Sequence, residues 1–89
     1  MAEPLGFESF FEDHCSKVFR AMCLVTGNRQ EAEEITQDAF LRLWERWDPV
    51  AEMEDPAGFL FKTAMNVFRN RARRALDRRQ EIVGDRRPL

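Results

Sequence analysis

Apolar residues recur at three- and four-residue intervals along almost the whole of this chain, and the recurrence breaks at only two places, around Gly27 and around Pro49. That period is the repeat of an α-helix; a half-buried strand alternates every second residue instead. In the first block Phe7, Phe10, Phe11, Cys15, Val18, Phe19, Met22 and Val25 make one broad apolar stripe. Glu8, Glu12, Asp13, Lys17 and Arg20 cover much of the rest, so the spacing predicts a helix from about Phe7 to Val25. Gly27 supplies the left-handed residue that commonly ends a helix.

Asn28 with Glu31 three residues on reads as a capping-box-like start. The second helix is expected to run to about Trp47. On a helical wheel Ala32, Ile35, Ala39, Phe40, Leu43, Trp44 and Trp47 span one arc, and Glu34, Gln37, Asp38, Leu41 and Glu45 take the opposite side. Leu41 is thus an apolar residue in a polar face. Pro49 is expected to stop this helix, leaving residues 48–55 as a loop. Asp55-Pro56 reads as an N-cap with proline at the first helical position. The third helix should reach Arg79 or Gln80, with Leu60, Ala64, Val67, Phe68, Ala72 and Leu76 as its core stripe, followed by a frayed tail over 81–89. The fold class is all-α, a three-helix domain over 1–80, with sequential helices antiparallel where connections are short.

Composition agrees. A chain of 89 residues is one small domain, and its eight Phe and two Trp fill a core with few residues, since each aromatic buries roughly 150–250 Å². Four Gly and four Pro are too few for a turn-rich β fold. No apolar run approaches the length of a membrane span, and Met1-Ala2-Glu3-Pro4 has no secretory pattern, so the expected location is the cytoplasm. Cys15 and Cys23 on one helix would be about 12 Å apart along its axis, too far for a disulfide, and with His14 the only histidine no metal site has enough ligands. No cofactor is expected, and no nucleophile with a base or glycine-rich phosphate loop suggests an enzyme.

Charge is divided unevenly. From Lys62 to Arg87 nine bases meet three acids, a formal +6, whereas residues 1–61 carry five bases and thirteen acids, a formal −8. A local block of arginine is an electrostatic footprint for a polyanion. Lys62, Asn66, Arg69 and Arg73 are spaced to line one face of the third helix. The arginines suit phosphates, and the Asn66 amide offers donor and acceptor side by side, as reading a base edge requires. A solvated basic face and a helix that docks an acidic protein partner remain alternatives at this level. A helix-turn-helix is disfavoured, because eight residues including Pro49 precede the basic helix where that motif has about 3–4.

The segment Asn28-Arg29-Gln30-Glu31-Ala32-Glu33-Glu34-Ile35-Thr36-Gln37-Asp38-Ala39-Phe40-Leu41-Arg42-Leu43-Trp44 resembles region 2 (the sigma-2 domain) of bacterial RNA polymerase sigma factors of the extracytoplasmic-function type. The Phe7–Phe11 segment resembles that region's first helix. Phe59-Leu60, Ala64 and Asn66 followed by arginines resemble its Trp-Leu-x-x-Ile-Ala-x-Asn motif, with Phe59 for the tryptophan and Thr63 for the isoleucine. The resemblance covers roughly residues 7–79. It implies promoter recognition in transcription initiation, with two partners. One is the clamp helices of the largest subunit of the RNA polymerase core, facing Gln37, Asp38, Leu41, Arg42 and Glu45. The other is the promoter's minus-ten element, faced by Lys62 and Asn66, with Arg69 and Arg73 on its phosphates. The loop 48–58 corresponds to the family's specificity loop, which captures a flipped base. Family members are often held inactive by an anti-sigma factor, which is a further expected partner, and a monomer is the default expectation, with no catalytic or metal residue assigned. Family members add a second domain that reads the minus-thirty-five element. Residues 81–89 are expected to be a tail or the start of a linker to it in a longer protein, the alternative being a reduced relative. The rival function is a helical adaptor whose basic helix docks an acidic partner.

Overall fold

Gly27 ends the first helix where the sequence places its stop. The computed structural model describes residues 6–85, with side chains through residue 80. In it α1 spans Phe7–Thr26, and Gly27 turns left-handed at φ 67°, its N–H donating to the Cys23 carbonyl at 2.9 Å. The next helix, α2 (Arg29–Glu45), starts on a half-formed capping box. Asn28 Oδ1 accepts the Glu31 N–H at 2.9 Å, but the Asn28 N–H donates to Thr26 Oγ1 at 3.1 Å rather than to Glu31. The two-residue joint makes α1 and α2 antiparallel neighbours. Phe7, at the start of α1, meets the Trp44 ring at 5.1 Å near the end of α2, while the Arg29 guanidinium lies 5.9 Å over Phe19.

The second break differs from the sequence expectation. α2 stops at Glu45, because Arg46 leaves the helical region (φ −126°, ψ 33°) and its N–H turns back to the Leu43 and Trp44 carbonyls. A short helix, α3 (Trp47–Ala51), then takes the first half of the segment expected to be a loop. Pro49 is its third residue. In a first turn no backbone N–H has an intrahelical partner, so a proline there forfeits nothing. What favours α3 is burial. Trp47 and Val50, three apart, fall on one side; Val50 is fully buried, and Trp47 packs on Phe7 and Phe10 at 5.3 and 5.1 Å. The true loop is 52–55.

The last helix, α4 (Pro56–Asp85), is capped by Asp55, whose Oδ1 accepts the Gly58 N–H at 3.0 Å. It passes the expected end near Gln80 and continues through 85; the rest of the expected tail, 86–89, lies outside the described residues. At 30 residues it is about 45 Å long, nearly twice the ~26 Å of the 17-residue α2 beside it. The long helix runs antiparallel to α2: Glu34 near the start of α2 pairs with Arg71, while Arg46 at its end lies across from Phe59 and Lys62. α2 is therefore the central element, flanked by α1 and α4, which touch each other less.

The core comprises Phe10, Val18 and Met22 of α1, Ala32, Ile35, Ala39, Phe40 and Leu43 of α2, Val50, and Leu60, Ala64 and Val67 of α4. Thr36 is buried among them, its hydroxyl satisfied by the Ala32 carbonyl at 2.7 Å. Four residues of the expected apolar stripes, Phe11, Val25, Trp44 and Leu76, are exposed instead. Trp44 is 59% exposed, because it stands at the edge of the apolar arc beside the start of α1, where the Phe7 ring packs on it. Leu76 is 57% exposed, and at about 100° per residue it stands roughly 150° around α4 from the Leu60, Ala64 and Val67 row that packs on α2. Cys15 and Cys23 are free and half-buried. His14 is half-buried against Phe10, ring centroids 4.6 Å apart.

Candidate functional site

The sequence-derived face of α4 is present as a continuous helical surface. Lys62, Asn66, Arg69 and Arg73 are all exposed, on the side away from Leu60, Ala64 and Val67. Packing of those three against α2 fixes the rotation of α4 and so aims the polar face outward. The Asp55 cap and Pro56 set the helix start, and with it the register of every later side chain.

The nearer half of this face borders a groove of about 630 Å³ between α4 and α2. From α4 come Phe59, Lys62, Thr63 and Asn66; from α2 and the joint after it come Asp38, Arg42, Leu43, Glu45 and Arg46. The antiparallel arrangement brings these together, since the end of α2 lies over the start of α4. Leu43 is buried at the floor and Phe59 is half-buried, so apolar surface underlies a rim of charges of both signs. Arg42 Nε donates to Asp38 Oδ1 at 3.1 Å, an exposed pair one helical turn apart that orients both side chains. The Thr63 hydroxyl is engaged with the Phe59 carbonyl at 2.8 Å.

The five residues expected to face a protein partner follow one another around a single outward arc of α2, but they border two different depressions. Asp38, Arg42 and Glu45 border the groove with Lys62 and Asn66. Gln37 and Leu41 lie a quarter-turn away, at the edge of a separate depression of about 320 Å³ lined also by Phe7, Phe11, Phe40 and Trp44. There Leu41 is 59% exposed, and Phe11 and Trp44 are exposed beside it. The patch rests on stacked rings: Phe11 meets Phe40 edge-on at 4.8 Å, and Phe7 contacts Phe40, Trp44 and Trp47. Aromatic pairs of this geometry hold their rings in place, which keeps the exposed faces in register.

Sequence reasoning named Leu41 but missed Phe11 and Trp44 as exposed neighbours and half-buried Phe7 beside them, having counted all three as core. It also missed Arg46, Phe59 and Thr63 as groove residues. The signal for Trp44 lay in its position at the margin of its stripe; Phe11 lies within its stripe, and periodicity gave no sign of its exposure. The segment expected as a capturing loop is mostly α3 and the first turn of α4. What remains, 52–55, is exposed and carries three carboxylates around Met53. A further feature lies where α4 passes the start of α2: Arg71 Nη2 donates to Glu34 Oε1 at 2.6 Å. Among the described residues no group of His, Cys, Asp and Glu could hold a metal ion, and no helix is long and apolar enough to cross a membrane.

Comparison with known proteins bears on this arrangement. The "ECF RNA polymerase sigma factor SigL" of Mycobacterium tuberculosis, matched in three strains, is 27% identical over 84 residues. The match takes in 93% of this chain and 46% of the relative, so the chain spans about half the length of the curated proteins it matches. No solved structure matches. The model of sigma-70 region 2 matches residues 10–79, which include α2, α3, the groove and most of the exposed face of α4, and the chain therefore belongs to the sigma-70 region 2 family.

Proposed function

We propose that this chain serves transcription initiation, docking on the RNA polymerase core through the patch around Leu41 and reading the promoter minus-ten element along the groove between α2 and α4. The observation that carries the reading is the groove. Lys62 and Asn66 stand at its rim, and its roughly 630 Å³ is ample for an extruded base over the apolar floor made by Leu43 and Phe59. A base out of the stack costs a few kcal/mol, which contacts in the pocket must return. Asn66 offers a paired donor and acceptor to a base edge, and Lys62, Arg69 and Arg73 neutralise phosphates along the same strand. The acidic loop 52–55 repels phosphates, so it suits contact with bases. Nothing in this scheme needs bond chemistry, since strand separation follows from preferential binding of the unpaired strand.

The docking side is supported by the patch. Leu41, Trp44 and Phe11 form an exposed apolar centre with Gln37 at its edge and Asp38 and Arg42 beyond. An apolar centre with a polar rim is ordinary interface anatomy. The clamp helices of the largest polymerase subunit are the surface that this reading assigns to it.

The test is binding to a single-stranded non-template minus-ten oligonucleotide. The wild-type chain should prefer one short sequence over scrambled strands, and Asn66→Ala should lower that preference by about 1–3 kcal/mol, the worth of a bidentate base contact. Equal binding to scrambled strands, with Asn66→Ala silent, would return the basic face to an adaptor role toward an acidic protein.

A further inference from the structure

The bundle has a third side, where α1 and α4 run beside each other away from α2. Both are antiparallel to α2, so they are parallel to one another. Phe19 of α1 turns toward Arg29 of α2, and Ala21 and Leu24 stand roughly 160° and 140° around α1 from it. On α4, Phe61, Met65, Ala72 and Leu76 stand roughly 140–180° around the helix from Thr63, which lines the groove with α2. The two rows therefore flank the seam between α1 and α4. Arg71 lies across from Glu34, and α2 begins at Arg29, five residues earlier, so Leu76 comes level with the last turns of α1. Ala21, Phe61, Met65 and Ala72 are half-buried along the seam, but Leu24 is 84% exposed, and Val25 and Leu76 are exposed near it. Packing within the fold accounts for the half-buried members and not for these three.

Charge marks the same side. No acid occurs between Asp13 and Glu31 or between Asp55 and Asp77, so these stretches of α1 and α4 carry cations alone. Lys17 and Arg20, one turn before Ala21 and Leu24, are exposed and form no ion pair among the described residues. An apolar row edged by unpaired cations matches an apolar surface edged by carboxylates. It does not match a polynucleotide, which offers phosphate and no aliphatic face to Leu24. Two packed helices have axes about 8–10 Å apart, and the trough between them takes the apolar ridge of a third helix. From Phe61 to Leu76 the row is about 22 Å long, four helical turns. We propose that the seam between α1 and α4 is a docking surface for a protein partner, an amphipathic helix of about four turns whose polar side is acidic. Its apolar ridge covers Leu24, Met65 and Leu76, and its carboxylates meet Lys17 and Arg20. The seam shares no residue with the groove or with the patch around Leu41, so this partner binds without displacing what occupies either.

The probe is a synthetic labelled peptide of four helical turns, with leucine along one side and glutamate along the other. Fluorescence anisotropy measures its binding to the full chain, against a scrambled peptide of the same composition. Wild type should bind the amphipathic peptide and not the scrambled one. Leu24→Ser/Leu76→Ser should weaken that binding about tenfold or more, as for central interface residues. It should leave minus-ten oligonucleotide affinity within about twofold. Both leucines are exposed, so helix content should not change, which circular dichroism checks. Lys17→Gln/Arg20→Gln should weaken peptide binding at low salt and reduce its salt dependence, since screening acts on exposed charges. Equal binding of the two peptides overturns the docking surface, as does a silent leucine variant. Leucine-dependent binding found instead on vesicles of phosphatidylglycerol and phosphatidylcholine assigns the side to a membrane surface and overturns it. Leucine-dependent self-association in sedimentation equilibrium, without peptide binding, assigns it to a second copy and also overturns it. None of these outcomes touches the reading of the groove.

Discussion

At the scale of single residues, the cap of α4 shows two local preferences in conflict. Asp55 Oδ1 accepts the Gly58 N–H, and a Cβ built on Gly58 would fall against that carboxylate. Glycine at the third helical position therefore costs about 0.8–1 kcal/mol of helix propensity to keep a cap worth about 1 kcal/mol. The carboxylate is the free end of a side chain, so a Cβ would push it aside without moving backbone. Gly58→Ala should accordingly be near neutral in the wild type, gain and loss cancelling. Asp55→Ala should cost about 1 kcal/mol. With the cap already gone, Gly58→Ala should then stabilise by about the propensity difference. Urea denaturation of the four proteins gives the coupling directly, and strict additivity would mean that the contact does not govern the position. On the proposed reading the cap bears on DNA binding, because it starts the helix that presents Lys62 and Asn66.

At the scale of elements, three long helices were legible and the short one was not, for a definite reason. Gly27, Asn28 and Asp55-Pro56 each act within one turn of themselves, so boundaries they control can be read locally. Pro49 was read as a breaker by type, but its effect depends on position, and in the first turn of α3 it breaks no bond. The spacing of Trp47 and Val50 was the available sign that the segment buries one side. Trp44 and Leu76 failed differently: each stands at the margin of its stripe, where periodicity alone does not tell whether a neighbouring helix covers it. The same gap hid Arg71, which lies on the inward side of α4 and meets Glu34 instead of core. If α3 is helical and packed as described, Pro49→Ala should change stability by less than about 1 kcal/mol. Val50→Ala should cost roughly 2 kcal/mol, from two buried carbons at about 0.8 each and a cavity contribution. A structureless 48–55 loop would show the reverse order, because losing proline would then loosen it and Val50 would have little to bury; thermal unfolding of the two variants separates the cases.

At the scale of the whole molecule, the charge asymmetry corresponds to more than two opposed faces. Among the described residues the acidic first part and the basic last helix meet where Glu34 holds Arg71, where Glu31 lines a cleft with Arg74 and Arg78, and where Asp38 and Glu45 share a groove with Lys62 and Asn66. Two of the acids assigned from sequence to a protein partner therefore stand where a nucleic acid would lie, while Leu41 stands apart among Phe7, Phe11 and Trp44. This separation predicts different outcomes for residues that the sequence grouped together. Leu41→Glu places a charge at the centre of an apolar patch and should weaken binding to the polymerase core by about tenfold or more, as for a central interface residue. It should leave minus-ten oligonucleotide affinity within about twofold, because Leu41 does not border the groove. Glu45→Gln removes a negative charge from the groove rim, and by the usual worth of exposed charges a few ångströms apart it should tighten oligonucleotide binding about two- to fivefold. That gain should fade as salt is raised, since screening acts on exposed charges first. Fluorescence anisotropy with the oligonucleotide and with labelled core enzyme reads both arms. If Glu45→Gln loosens core binding and leaves DNA binding untouched, the groove belongs to the polymerase and the nucleic acid must be read from the outer face of α4 alone.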